Sequence, residues 1–174
     1  MAGDDASAPR MSGVRPDVRF LLAHPAHFVA LGFGAGLAPA APGTFGTLVA
    51  IPIAIVLHRW GDGAYVVALV AAFAIGIWAA HMTGPALGDD DHGAIVCDEL
   101  AAFLLVLFFV GTDWRRVAVA CVLFRAFDIV KPSPIRAVER SVHGGFGVMA
   151  DDALAALYTL LAFAVGQRLF SAFG

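Results

Sequence analysis

The chain has 174 residues, 60% of them hydrophobic and 14% charged, with a formal net charge of −3 and a mean hydropathy of +0.81. That length suits one domain, the apolar excess lies outside ordinary soluble usage, and the slight negative charge gives no footing for a nucleic-acid partner. Cys97 and Cys121 lie in apolar runs without zinc spacing, so they read as packing residues.

Residues 1–24, opening MAGDDASAPRMSGVRPDVRF, are polar and lack an apolar h-region. They read as a flexible segment and not as a secretory signal. Residues 25–174 read as a single membrane-embedded domain of all-α class, a multi-helix integral membrane bundle with four to five apolar helices. The first helix, 47–60, is short for a span and has Pro52 near its first turns. The run 63–82 is the clearest: its only residue that titrates near neutral pH is His81, and it has the roughly 20-residue length that a bilayer core demands. The run 94–111 is equally apolar but carries Asp98 and Glu99 about one turn in. The run 117–130 carries Arg125 and Asp128 and stops at the KPSP breaker. The last helix, 153–173, is opened by Asp151 and Asp152.

The connections are of two kinds. Those around HRWGDG and GTDWRR are short; 32–46, 83–93 and 131–150 are long and rich in Gly, Pro, His and acid. Alternating the helices puts every long connection at one face. That face, with the N-terminus, holds Arg10, Arg15, Arg19, Lys131, Arg136 and Arg140, against Arg59, Arg115, Arg116 and Arg168 opposite. The excess of cations predicts a cytoplasmic location for the long loops. The acids Asp89, Asp90, Asp91, Asp98, Glu99, Asp128, Asp151 and Asp152 belong to the same face, so three helices are expected to offer carboxylates at a similar depth.

Clustered carboxylates repel one another unless a cation or a proton sits among them. A hard divalent ion such as Mg²⁺ takes oxygen ligands; Arg125 and Lys131 are alternative partners, and protonation is a third route. Arg125, Asp128 and Lys131 share a broad helix face and offer one ligand with two phosphate-binding cations. A purely structural account of Asp151 and Asp152 is helix capping, and Arg125 with Asp128 also reads as an ion pair tying helices. Asp98 and Glu99, ionisable groups inside an apolar run, point to function. His92 and His143 are candidate ligands or proton shuttles, or turn caps; His24, His27, His58 and His81 read as interfacial or packing residues.

PGTFG reads as a turn near a helix start, where backbone N–H groups and the Thr44 hydroxyl contact an anion or Thr44 caps the helix. HGGFG admits either close approach to a phosphate or plain turns. Neither matches a dinucleotide or P-loop fingerprint. Nucleophile chemistries fall away: Phe103 and Phe127 stand where a cysteine phosphatase needs arginine, and no G-x-S-x-G elbow is present. Metal-assisted chemistry is the enzyme reading that remains.

DHGAIVCDE, FRAFDIVKPSPIRAVE and HGGFGVMADDALAA, in that order and preceded by PGTFGTL, resemble the bacterial phosphatidylglycerophosphatase A family over roughly residues 25–170. One departure is Ala102, where the family often has glycine. The resemblance implies an all-α, Mg²⁺-dependent lipid phosphatase of the bacterial inner membrane, active-site loops facing the cytoplasm, that converts phosphatidylglycerophosphate to phosphatidylglycerol. It assigns Asp98, Glu99, Asp128 and Asp152 to the metal, with Asp151 or Asp152 as ligand or water-orienting base, and Arg125 and Lys131 to the phosphate. Thr44 and His143 join the substrate-binding set, and His92 the catalytic one. The competing expectation is a cation- or proton-coupled transporter using the intramembrane carboxylates.

Overall fold

The computed structural model of the protein describes residues 15–133, 135–136 and 141–173. Among these the regular structure is helical throughout, with no strand. Two short helices, α1 (Val18–Ala23) and α2 (Pro25–Ala30), lead into a 3-10 turn, Gly32–Leu37. Five longer helices follow: α3 (Pro42–Trp60), α4 (Asp62–Leu87), α5 (Cys97–Val110), α6 (Trp114–Val130) and α7 (Gly144–Phe173). The polar segment assigned to residues 1–24 therefore contains α1, capped by Asp17, whose carboxylate accepts the Phe20 N–H at 2.8 Å. Its residues 1–14 lie outside the described residues, as does Arg140.

α5 is the axis of the bundle. It packs against α3, α4, α6 and α7, and most of its side chains are buried, among them Phe103, Leu104, Val106 and Leu107. At 1.5 Å per residue its 14 residues reach about 21 Å, short of the roughly 30 Å of a hydrocarbon core. The longer helices make up the difference. α3, α4 and residues Gly144–Leu169 of α7 are each long and apolar enough to cross a membrane. Their outward faces carry exposed apolar side chains, such as Val67 and Val70 on α4 and Leu161 and Val165 on α7, as contact with lipid requires. Trp60 and Trp114, 70% and 72% exposed, stand at the short-connection end, where an aromatic belt belongs.

Helix boundaries differ from the sequence reading in all five long helices; α5 starts at Cys97 and not at residue 94. α3 begins at Pro42, not residue 47, because proline suits the first helical position. PGTFG is thus the first turn of a helix, and Thr44, whose N–H bonds Ala41 O at 2.9 Å, is inside it and not its cap. α4 runs through TGPAL and closes with a Schellman arrangement: Asp89 N–H bonds Gly84 O and Gly88 N–H bonds Pro85 O, with Gly88 at φ 78°. α6 starts at Trp114 because Asp113 accepts the N–H groups of Arg115 and Arg116.

The largest correction concerns α7. It starts at Gly144, so Asp151 and Asp152 lie about two turns inside it and do not open the helix. Capping is thereby excluded for both. In HGGFG, Gly144 supplies the positive-φ turn that enters the helix, φ 70°, while Gly145 serves helix packing. A Cβ on Gly145 would run into Ile77 O and come within 2.6 Å of His81 N, both backbone atoms of α4. Glycine is what lets α7 lie this close to α4. Gly145→Val should therefore lower the melting temperature of the protein in detergent by about 4–10 °C, the cost of overpacking. Gly63→Ala, with nothing within 4 Å of its added carbon, should leave it unchanged or raise it; equal melting temperatures for the two would refute the packing role.

Candidate active site

Residues 94–96 carry the chain into α5 through a lane cleared by three glycines. A Cβ on Gly32 would come within 2.7 Å of Val96 Cγ2, one on Gly46 within 2.8 Å of Val96 O, and one on Gly36 would strike Ala94 O. Val96 N–H bonds Ala30 O at 2.8 Å, which fixes the segment to α2. The next turn is the first of α5, so Asp98 and Glu99 sit at the positive end of its dipole. That end is sunk in the bundle. Cys97 Sγ approaches Gly76 O of α4 at 3.8 Å, and α4 continues for 11 more residues beyond Gly76, about 16 Å of helix.

Asp152 on α7 completes the cluster. One carboxylate oxygen from each of Asp98, Glu99 and Asp152 lies within 4.8 Å of the others. Asp98 and Asp152 are only 7% and 3% exposed. Asp98 Oδ1, Glu99 Oε2 and Asp152 Oδ2 are buried without a hydrogen-bond partner. Three buried carboxylates gathered in an apolar bundle are costly unless a cation or a proton joins them. Oxygen-only donors, carboxylate charge and burial together fit a hard divalent ion.

Two side-chain cations border this group. Arg125 Nη1 bonds Glu99 Oε1 at 3.2 Å and pairs with Asp128 Oδ2 one turn along α6. Its Nε is buried without a partner, which leaves one N–H for an incoming oxygen. Lys131 ends α6 in the left-handed conformation, φ 44°, ahead of Pro132, a placement that costs a non-glycine residue about 1 kcal/mol or more. It sets Nζ 2.6 Å from Asp151 Oδ2. Thus Asp98, Glu99 and Asp152 gather, while Asp128 pairs with Arg125 and Asp151 with Lys131.

The remaining expected residues lie at the margins. Thr44 is half-buried in the first turn of α3. His92 accepts the Ala94 N–H at 3.1 Å through Nδ1 and lines a cleft of about 370 Å³ with Arg15, Pro42 and Gly93. His143 is exposed and lines a second cleft of about 150 Å³ with Asp89, Asp90, Asp91 and Asp151. One residue was not singled out from the sequence: a Cβ on Gly43 would strike Glu99 Oε1 and come within 2.9 Å of Arg125 Nη1. Its signal was present in the spacing of Gly43 and Gly46, three apart on one helix face.

The family model for Phosphatidylglycerophosphatase A matches residues 28–167. The chain belongs to this family. A Phosphatidylglycerophosphatase A of Escherichia coli (strain K12) is 41% identical over 138 residues, 79% of this chain and 80% of the relative. One from Haemophilus influenzae is 36% identical over 153 residues, covering 87% and 94%. A third relative, from Bacteroides thetaiotaomicron, is 39% identical over 150 residues, 80% and 91%, and is named provisionally as a phosphatidylinositol-3-phosphatase. No solved structure matches the chain. Asp98, Glu99, Arg125, Asp128, Lys131, Asp151 and Asp152 all fall inside the matched span, whereas Arg15 lies before it.

If the three carboxylates form one cation site, Asp152→Asn should weaken Mn²⁺ binding at least about tenfold, the loss typical even of outer-shell substitutions, as measured by electron paramagnetic resonance. The melting temperature of the metal-free variant should not fall, because one like charge has been removed. Unchanged Mn²⁺ affinity would sink the site.

Proposed function

We propose that the chain hydrolyses the terminal phosphomonoester of phosphatidylglycerophosphate, releasing phosphate and phosphatidylglycerol, with Mg²⁺ as cofactor at the cytoplasmic face of a bacterial inner membrane. The observation that carries this reading is the group of buried, unpartnered oxygens on Asp98, Glu99 and Asp152 beside a guanidinium and an ammonium, within the span that matches the family. Three helices long and apolar enough to span a bilayer suit a substrate whose acyl chains stay in the membrane. The orientation rests on the cation excess of the long connections.

Asp98, Glu99 and Asp152 would hold the cation, which when bound supplies charge to a phosphoryl oxygen and acidifies a water. The chain's own residues do the rest. Arg125 donates from Nε to an equatorial phosphate oxygen, its plane fixed by Glu99 and Asp128, so that a fixed charge meets the charge spreading over the transferred group. Lys131, already held by Asp151, adds the second positive charge. Asp152 accepts the proton of the attacking water. His92 or His143, each lining one of two clefts, returns a proton to the departing glycerol oxygen. Gly43 leaves the room in which Glu99 and Arg125 meet.

The transporter reading loses ground on the bundle's interior. Beyond the carboxylates the described core is filled by Phe103, Leu104, Leu107, Phe124 and Tyr65, all buried, and among the described residues Asp98, Asp151 and Asp152 are the acids that are buried.

Asp98→Asn should reduce phosphate release from phosphatidylglycerophosphate micelles by about 10²–10³-fold, the scale of a lost electrostatic stabiliser, while the protein still inserts and elutes as wild type. EDTA should silence the wild type and Mg²⁺ restore it. Full activity of Asp98→Asn in Mg²⁺ would remove that residue from the metal site, and release indifferent to EDTA would overturn the metal-dependent reading.

A further inference from the structure

Two clefts flank the carboxylate group, and their charges are opposite. The smaller, about 150 Å³, is lined by Asp89, Asp90 and Asp91 and repels anions. The larger, about 370 Å³, is lined by Arg15 and His92 with Pro39, Pro42 and Gly93, and its volume falls in the range of ligand pockets. Pro42 lines this cleft, and the next residue, Gly43, touches Glu99 and Arg125, so the cleft opens immediately beside the reacting centre. His92 Nδ1 is used as an acceptor by Ala94 N–H, which in the neutral ring leaves the proton on Nε2 as a donor. Arg15 is exposed and carries five N–H donors suited to phosphate.

The surroundings of Arg15 also suit a membrane interface. α1 and the residues around it present exposed Val18, Leu22, Phe28 and Phe33 next to Arg15 and Arg19, a pattern of apolar and basic side chains fit for a membrane interface. Resting on the reading above, the substrate carries two phosphates, a terminal monoester and a diester one glycerol away. We propose that the Arg15–His92 cleft binds the phosphodiester of the lipid, while Arg125 and Lys131 receive the monoester. Arg15 is then a specificity residue that precedes the span shared with the family: it holds the part of the substrate that does not react and sets which phosphate reaches the carboxylates.

Three measurements on the full chain in detergent test this. Arg15→Gln should raise KM for phosphatidylglycerophosphate about tenfold with kcat within about twofold, as expected for a contact made equally in ground and transition states, and Arg15→Lys should recover part of the loss. Inhibition by inorganic phosphate, which mimics only the monoester, should be unchanged in Arg15→Gln. Dihexanoyl phosphatidylglycerol, which keeps the diester and lacks the monoester, should bind wild type about tenfold more tightly than Arg15→Gln by calorimetry, a readout that needs no turnover. An unaltered KM, a fall in kcat with KM intact, a parallel loss of phosphate inhibition, or no measurable phosphatidylglycerol binding to wild type would each overturn the subsite. If wild type releases no phosphate from phosphatidylglycerophosphate, the activity reading fails on its own, and the calorimetric difference still decides whether the diester is bound here.

Discussion

Three carboxylates whose oxygens lie within 4.8 Å of one another, enclosed by apolar helices, are the constraint around which the rest is arranged. Two unit charges 4 Å apart repel by about 4 kcal/mol even at an effective dielectric near 20, a large fraction of a typical domain's stability. The bundle tolerates this through its neighbours. Arg125 holds Glu99 and Asp128, Lys131 holds Asp151, and the dipole of α5 favours negative charge in its first turn. What stays without a hydrogen-bond partner is one oxygen on each of Asp98, Glu99 and Asp152, a donor set suited to a hard cation.

Backbone approach serves that same end. Gly32, Gly36 and Gly46 let residues 94–96 lie against the first third of the chain, and Gly145 lets α7 close on α4. Each removes a side chain that would displace an acid-bearing segment. Because α5 is short and its first turn is sunk alongside longer helices, the acids sit below the level of the α4 C-terminus. A charged headgroup would descend between the long helices to reach them, while its acyl chains remain against their outward apolar faces.

The positions of the acids relative to apolar runs were legible in the sequence, because a charge within an apolar helix is costly and so stands out. DHGAIVCDE and FRAFDIVK were recognisable as site segments for that reason, and each of the five long helices overlaps an apolar run read from the sequence. Their ends were less legible. Asp151 and Asp152 looked like a helix opening because glycines precede them, yet Gly145 and Gly147 are helical, held there by the packing of α7 on α4 and on Val142. PGTFG looked like a turn for the same reason. A glycine in isolation signals backbone freedom; whether that freedom is spent on a turn or on close helix contact depends on a partner far along the chain.

The amino-acid sequence by itself determined that the chain is helical and apolar enough for a membrane, since composition and periodicity are local properties. Only the tertiary structure decided how the acids divide. Asp98, Glu99 and Asp152 come together with open oxygens, while Asp128 pairs with Arg125 and Asp151, the neighbour of Asp152 in sequence, pairs with Lys131. That division follows from helix rotation and depth, and from the left-handed end of α6 that carries Lys131, all of them set by packing between segments remote in the chain.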